Sequence, residues 1–70
     1  MYYVYVLTRN RKYYIGSTSD LRRRFAQHKA IDINAKLLYY EAYATKKLAI
    51  ARESNLKHYG SAWAGLKKRL

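Results

Sequence analysis

Seventy residues carry fifteen Lys and Arg against four Asp and Glu, a formal charge of +11, with nine tyrosines and no cysteine. A chain of this length reads as one small domain, 1–70, burying only about 60% of the surface its unfolded form exposes, and neither disulfides nor thiolate-held metal can brace it. The charge excess repels itself in the folded state and points to a polyanionic partner, nucleic acid before any other.

No apolar run approaches the roughly 20 residues of a spanning helix, so no membrane partner is expected. The start, Tyr2-Tyr3-Val4-Tyr5-Val6-Leu7, lacks the charged region and cleavage site of a signal peptide. The expected setting is reducing and cytoplasmic, nucleoid-associated if the source is bacterial.

Residues 2–7 are a β-branched and aromatic run that predicts a strand. The polar stretch 8–11 contains Asn10, which tolerates left-handed backbone and suits a turn. Lys12 to Gly16 follows as a second strand. An even loop centred on Arg9 and Asn10 pairs Leu7 with Lys12 and sets Tyr5 opposite Tyr14 on one face. An odd loop would separate the two tyrosines. Gly16 closes this strand, where its missing side chain permits close approach.

Thr18, Ser19 and Asp20 are N-cap candidates, Asp20 also suiting the helix dipole. The helix predicted over 21–30 places Leu21, Arg24, Phe25 and His28 on one buried stripe. A stripe that is half basic is poor core design, and such violations mark functional sites. After a connection over 31–36, residues 37–43 read as a strand apolar on both faces, as in a covered sheet. Thr45 caps a second helix reaching about Tyr59, with Leu48, Ala49, Arg52, Leu56 and Tyr59 inward and Glu53 bordering them. Gly60 fits a C-cap, and Ser61 opens a third helix carrying Trp63, Leu66 and Leu70. The order ββαβαα predicts an α+β domain, a three-stranded antiparallel sheet flanked by helices.

Four carboxylates limit the chemistry. Asp20 caps a helix, Asp32 lies in a loop, Glu41 on a strand, and only Glu53 sits within a helix. A two-metal phosphodiesterase needs several clustered carboxylates, so any Mg²⁺ would be a single ion on one carboxylate, water and a substrate phosphate. Taken alone, Glu53 reads as a helix pair with Lys57, worth a few tenths of a kcal/mol. No serine, histidine or cysteine set makes a nucleophile. Tyrosine with arginine remains: a tyrosine pair facing Arg24 and His28 could activate water against a phosphodiester. That requires a site that lowers the tyrosine's ordinary pKa near 10, while arginine's fork suits the charge building on the phosphate. The same residues could equally form a stacking platform for single strands, with no chemistry.

Val4-Tyr5-Val6, Tyr14-Ile15-Gly16, Asp20-Leu21 with Arg24 and His28, and Arg52-Glu53 together resemble the GIY-YIG nuclease domain, most closely its small stand-alone members. The resemblance spans nearly the whole chain. It implies a DNA endonuclease hydrolysing phosphodiester bonds with one Mg²⁺ (or Mn²⁺), and no small-molecule cofactor. Tyr5 and Tyr14 would share the deprotonation and positioning of the attacking water, Arg24 would stabilise the pentavalent phosphate, His28 would support a tyrosine or the leaving group, and Glu53 would hold the metal. Gly16 would admit the substrate or a helix, and Lys12, Arg22, Arg23, Lys67 and Lys68 would contact nucleic acid.

The first motif lacks its leading glycine. No residue matches the asparagine many members carry late in the domain, since Asn55 lies two after Glu53 on another side of its helix. With no room for a recognition domain, selectivity should be low or directed at branched or flapped DNA. The rival expectation is a non-catalytic DNA- or RNA-binding module of the same fold; a protein partner needed for activity is a third.

Overall fold

Alternation along the first strand sends Val4 and Val6 to one side and Tyr5 and Leu7 to the other, and all four are buried. A strand buried on both faces belongs in the middle of its sheet. In the computed structural model, which describes all seventy residues, this strand, β1 (Tyr2–Arg9), lies between β2 (Lys12–Thr18) and β3 (Lys36–Tyr43), both antiparallel to it. Helices α1 (Leu21–Ile31), α2 (Lys46–His58) and α3 (Gly60–Lys67) complete the expected α+β order, ββαβαα.

The β1–β2 turn is one residue later than expected. Asn10 and Arg11 both have positive φ, 53° and 64°, the two-residue turn whose twist matches that of its strands. The Asp32 carboxylate pins it by accepting the Asn10 N–H at 2.8 Å. Arg9 therefore pairs with Lys12, Leu7 with Tyr14 and Tyr5 with Gly16. Tyr5 is not opposite Tyr14; the register has slid by two. Because side-chain direction repeats every two residues, both tyrosines still share a face.

On the Val4 and Val6 side, the core is closed by Ala49 and Leu56 of α2 and Leu66 of α3, with Ile15, Tyr39, Tyr43 and Trp63 packed around it. Glu41 ties α2 to β3 on this side. It accepts Arg52 Nε at 2.9 Å and Nη2 at 3.1 Å, together with the hydroxyls of Tyr39 at 2.6 Å and Tyr43 at 2.5 Å. Burial alone would raise the Glu41 pKa, but these donors outweigh it and hold the carboxyl below its ordinary value. Burial and donation to Glu41 push Tyr43 up to about 12.

The other face carries α1, started by Asp20, whose side chain accepts the Arg23 N–H at 3.0 Å. No residue of α1 is buried. The expected buried stripe therefore holds only in part: Leu21, Phe25 and His28 are half-buried, whereas Arg24 is exposed. On β3, burial alternates rather than covering both faces, and Tyr40 is 55% exposed. Between Val6 and Leu7 the pairing skips Leu38, a bulge that turns that side chain outward. On α2, Ala49 and Leu56 are buried, while Leu48 and, just past its end, Tyr59 face solvent. Gly60 does not end α2 in left-handed backbone; it opens α3.

Candidate active site

Gly16 has no φ that demands glycine. Its role is steric. A β-carbon there would lie 2.5 Å from Tyr5 Oη and 2.7 Å from Cζ, so the absent side chain lets the Tyr5 ring lie across β2, the sheet's edge strand. What fills the space at Gly16 is a tyrosine of the same chain.

Three elements meet around that ring. From α1, His28 Nε2 sits 3.2 Å from Tyr5 Oη, with the rings edge to face at 5.8 Å. From β2, the Tyr14 ring lies 6.2 Å from the same imidazole. From α2, Glu53 is close enough to act on Tyr5 electrically, as are Arg24, Lys57 and Arg9. Burial is the largest influence on Tyr5 and Glu53 adds to it; together they outweigh the three cations and raise its pKa above 10. Tyr5 is therefore a neutral phenol at neutral pH. His28 is held below its ordinary value, first by burial and then by Arg9 and Arg24.

Glu53 is reached through Ser17, whose side chain points opposite to Gly16. Ser17 Oγ donates to Glu53 Oε1 at 2.5 Å, and Lys57 Nζ pairs with Oε2 at 2.7 Å. The helix pair with Lys57 thus exists, as expected from spacing. Burial works to raise the Glu53 pKa, but Lys57 and Ser17 prevail and keep it below the ordinary carboxylate value. No three His, Cys, Asp or Glu side chains gather anywhere as a metal cluster. The only candidate donors here are the Glu53 carboxylate and the Ser17 hydroxyl. Such a set suits one hard cation that keeps most of its waters, with the Lys57 ammonium displaced.

Arg24 borders three hollows, two of which also hold other residues of this site. One is lined by Arg9, Arg24, Gln27, His28 and Ile31. The other holds Ser17, Thr18, Ser19, Arg24 and Lys46, with a volume of about 360 Å³, many times the ~30 Å³ share of a water molecule. Exposed on α1, Arg24 can aim its guanidinium into either.

Tyr5, Tyr14, His28, Arg24 and Glu53 therefore gather at the β2 edge. The expected nucleic-acid contacts do not form one stripe. Arg22 and Arg23 are exposed on α1, Lys12 is exposed at the start of β2, and Lys68 at the end of α3. Lys67 lies over the Tyr13 ring at 5.2 Å on the α3 side. Sequence reading missed Arg9, Ser17 and Lys46. Arg9 was placed in the turn; a first strand two residues longer would have put it on the face of Tyr5 and Tyr14.

The family model for the GIY-YIG catalytic domain matches residues 1–67. Two UPF0213 proteins of Streptococcus pneumoniae are similar in sequence. One, from strain ATCC BAA-334 / TIGR4, is 39% identical over 64 residues, covering 79% of this chain and 65% of the relative. The other, from strain ATCC BAA-255 / R6, is 38% identical over the same span, with the same coverage. The chain thus spans just under two thirds of the length of these relatives. No solved structure matches it.

Proposed function

The chain belongs to the GIY-YIG family, and from that premise we propose that it is a DNA endonuclease domain hydrolysing phosphodiester bonds with one divalent cation, Mg²⁺ or Mn²⁺. The observation that carries this reading is the convergence on Tyr5 of a histidine and an arginine from α1 and a carboxylate from α2.

Glu53, braced by Ser17, would hold the cation. When bound, that cation would polarise the phosphate and make its attacking water more acidic. Tyr5 would orient the water through its hydroxyl. It is a neutral phenol, so it serves as a hydrogen-bonding guide and proton relay rather than a standing base. Neutralising Glu53 would also remove one of the influences that raise the Tyr5 pKa. Arg24 would meet the charge on the equatorial phosphate oxygens with its fork of donors. His28 would fix the Tyr5 hydroxyl, and Tyr14 would pack against His28. Lys12, Arg22, Arg23, Lys67 and Lys68 would hold the backbone through its phosphates, contacts that carry no sequence information. The substrate class that follows is DNA of low sequence selectivity, or branched or flapped DNA recognised by shape, with affinity that falls steeply with salt.

One observation favours the rival reading, a module that binds nucleic acid without cutting it: both Glu53 oxygens are already engaged by Ser17 and Lys57. Supercoiled plasmid and flapped duplexes incubated with Mg²⁺ or with EDTA, alongside gel shifts, separate the two. Nicking in Mg²⁺, lost in EDTA and in the Glu53→Ala and Arg24→Ala proteins while Glu53→Ala still shifts DNA, is the expected result. Retention of DNA without cleavage across substrates and metals would establish the rival, and undiminished cleavage by Glu53→Ala would refute the one-metal mechanism.

A further inference from the structure

Arg9 has no role in the chemistry above, yet it touches both His28 and Tyr14. It is the last residue of β1, on the same face as Tyr5 and Tyr14. Its guanidinium carbon sits 4.3 Å from the centre of the Tyr14 ring, and its Nη1 lies 3.1 Å from Nδ1 of His28. On the far side of that imidazole, Nε2 is 3.2 Å from Tyr5 Oη. The three side chains form one line: guanidinium, imidazole, phenol.

The chemistry of the first member fixes the rest. A guanidinium offers only donors and does not deprotonate in proteins. The His28 Nδ1 that faces it must therefore accept, and carries no proton. An imidazolium, or the tautomer protonated at Nδ1, would set N–H against N–H across 3.1 Å. The single proton of the neutral ring then lies on Nε2, and Nε2 faces Tyr5.

We propose that Arg9 is a positioning residue that fixes the His28 tautomer, so that His28 Nε2–H donates to Tyr5 Oη and the Tyr5 hydroxyl proton stays free for the water or phosphate. Negative charge that builds on Oη as this proton leaves is met by an N–H already in place. With the opposite tautomer, Tyr5 would spend its proton on Nε2 and could only accept from the water. The meaning for catalysis rests on the nuclease reading; the tautomer is a property of the folded chain and can be measured without any substrate.

The groups facing His28 are Tyr5 and Arg9 from β1, Tyr14 from β2, and Arg24 on its own helix. Two are cations, which also oppose an imidazolium there.

Long-range ¹H–¹⁵N spectra of the full labelled chain, carrying His58→Gln so that only one histidine reports, read the protonation of each ring nitrogen. At pH 7.5 the expected pattern is a proton on Nε2 alone. Arg9→Lys keeps a donor and should keep that pattern. Arg9→Glu replaces the donor by an acceptor and should move the proton to Nδ1 or yield an imidazolium. Arg9→Met should bring the His28 titration up towards 6.5. A proton on Nδ1 in the parent chain would overturn the assignment, whatever the variants do. So would an unchanged Nε2–H pattern in folded Arg9→Glu, or an unshifted titration in Arg9→Met. A correct tautomer without Mg²⁺-dependent nicking would sink the nuclease reading and leave Arg9 standing; nicking with the wrong tautomer would do the reverse.

Discussion

Gly16→Ala tests whether the Tyr5 ring is placed by the absence of a side chain. The new β-carbon would stand 2.5 Å from Tyr5 Oη, 2.7 Å from Cζ and 3.1 Å from Cε2, against the ~3.5–4 Å at which carbon atoms pack. Backbone strain does not enter, since Gly16 is not left-handed. On conformational entropy alone, alanine would be better by roughly 0.5–1 kcal/mol. Relief of the clash requires the ring to move by about 1 Å, judged against that packing distance, yet Tyr5 is 4% exposed and tethered to His28. Overpacking of this kind costs about 1–3 kcal/mol, and losing the histidine contact adds about 1 kcal/mol. The clash wins, with a net loss of about 1–3 kcal/mol. For a chain of this size each kcal/mol lowers the melting midpoint by roughly 4–8 °C, and a shift of about 1 Å at a reacting group can cost about 10²-fold in rate. Denaturant unfolding and plasmid nicking measure the two effects. In a Tyr5→Leu background the Gly16→Ala cost should vanish or reverse, because the ring it collides with is gone. Equal stability of Gly16→Ala and the parent, or the same cost with and without the ring, would refute the steric reasoning.

Lys57→Met frees one Glu53 oxygen from its ammonium partner, so the Mg²⁺ concentration at half-maximal nicking should fall severalfold; a rise would mean that Lys57 helps the site rather than competing with the cation. Glu41→Ala strands Arg52 and two tyrosine hydroxyls beneath α2 and should cost about 2–3 kcal/mol, as hydrogen bonds to a charged group do; thermal unfolding measures it, and a loss below about 0.5 kcal/mol, the scale of ordinary surface changes, would contradict the geometry. Glu41 and Glu53 are both held below their ordinary 4.5, so their stabilisation is fully present above that pH and lost as pH falls through the lower folded values. His28 is held below 6.5 and folds neutral, so its share is complete above pH 6.5 and declines with acidification below it. Stability measured from pH 8 to pH 3 should fall monotonically, and a rise on acidification would reverse the assigned signs.

The element order was legible because each segment states its own period and punctuation. The β1–β2 register was harder, since it rests on which two residues take positive φ, and both Arg9-Asn10 and Asn10-Arg11 offer an asparagine. The parity of the loop survived the error, which is why Tyr5 and Tyr14 were still placed on one face. Arg24 misled in a different way. Helical spacing put it on the stripe of Leu21 and Phe25, but α1 buries none of its residues and Arg24 stays exposed. Gly16 was read as room for the substrate or a helix, because nothing in the chain's local pattern says that the tyrosine paired with it on the neighbouring strand will occupy that room. Arg9 was invisible for a similar reason: its function depends on His28, nineteen residues later.

The attachment of α1 has a consequence for how the protein moves. This helix has no buried residue; it is held by half-buried Leu21, Phe25 and His28 and by a few polar fastenings, His28 to Tyr5 and Arg9 and, just past its end, Asp32 to Asn10. Elements joined by so little apolar contact open locally at a free energy well below that of the whole fold. Arg24 and His28 ride on that element, whereas Glu53 is fixed to the core through α2. One jaw of the cleft is thus loose and the other firm, and a polyanion gripped between them would supply the cohesion that the loose jaw lacks by itself.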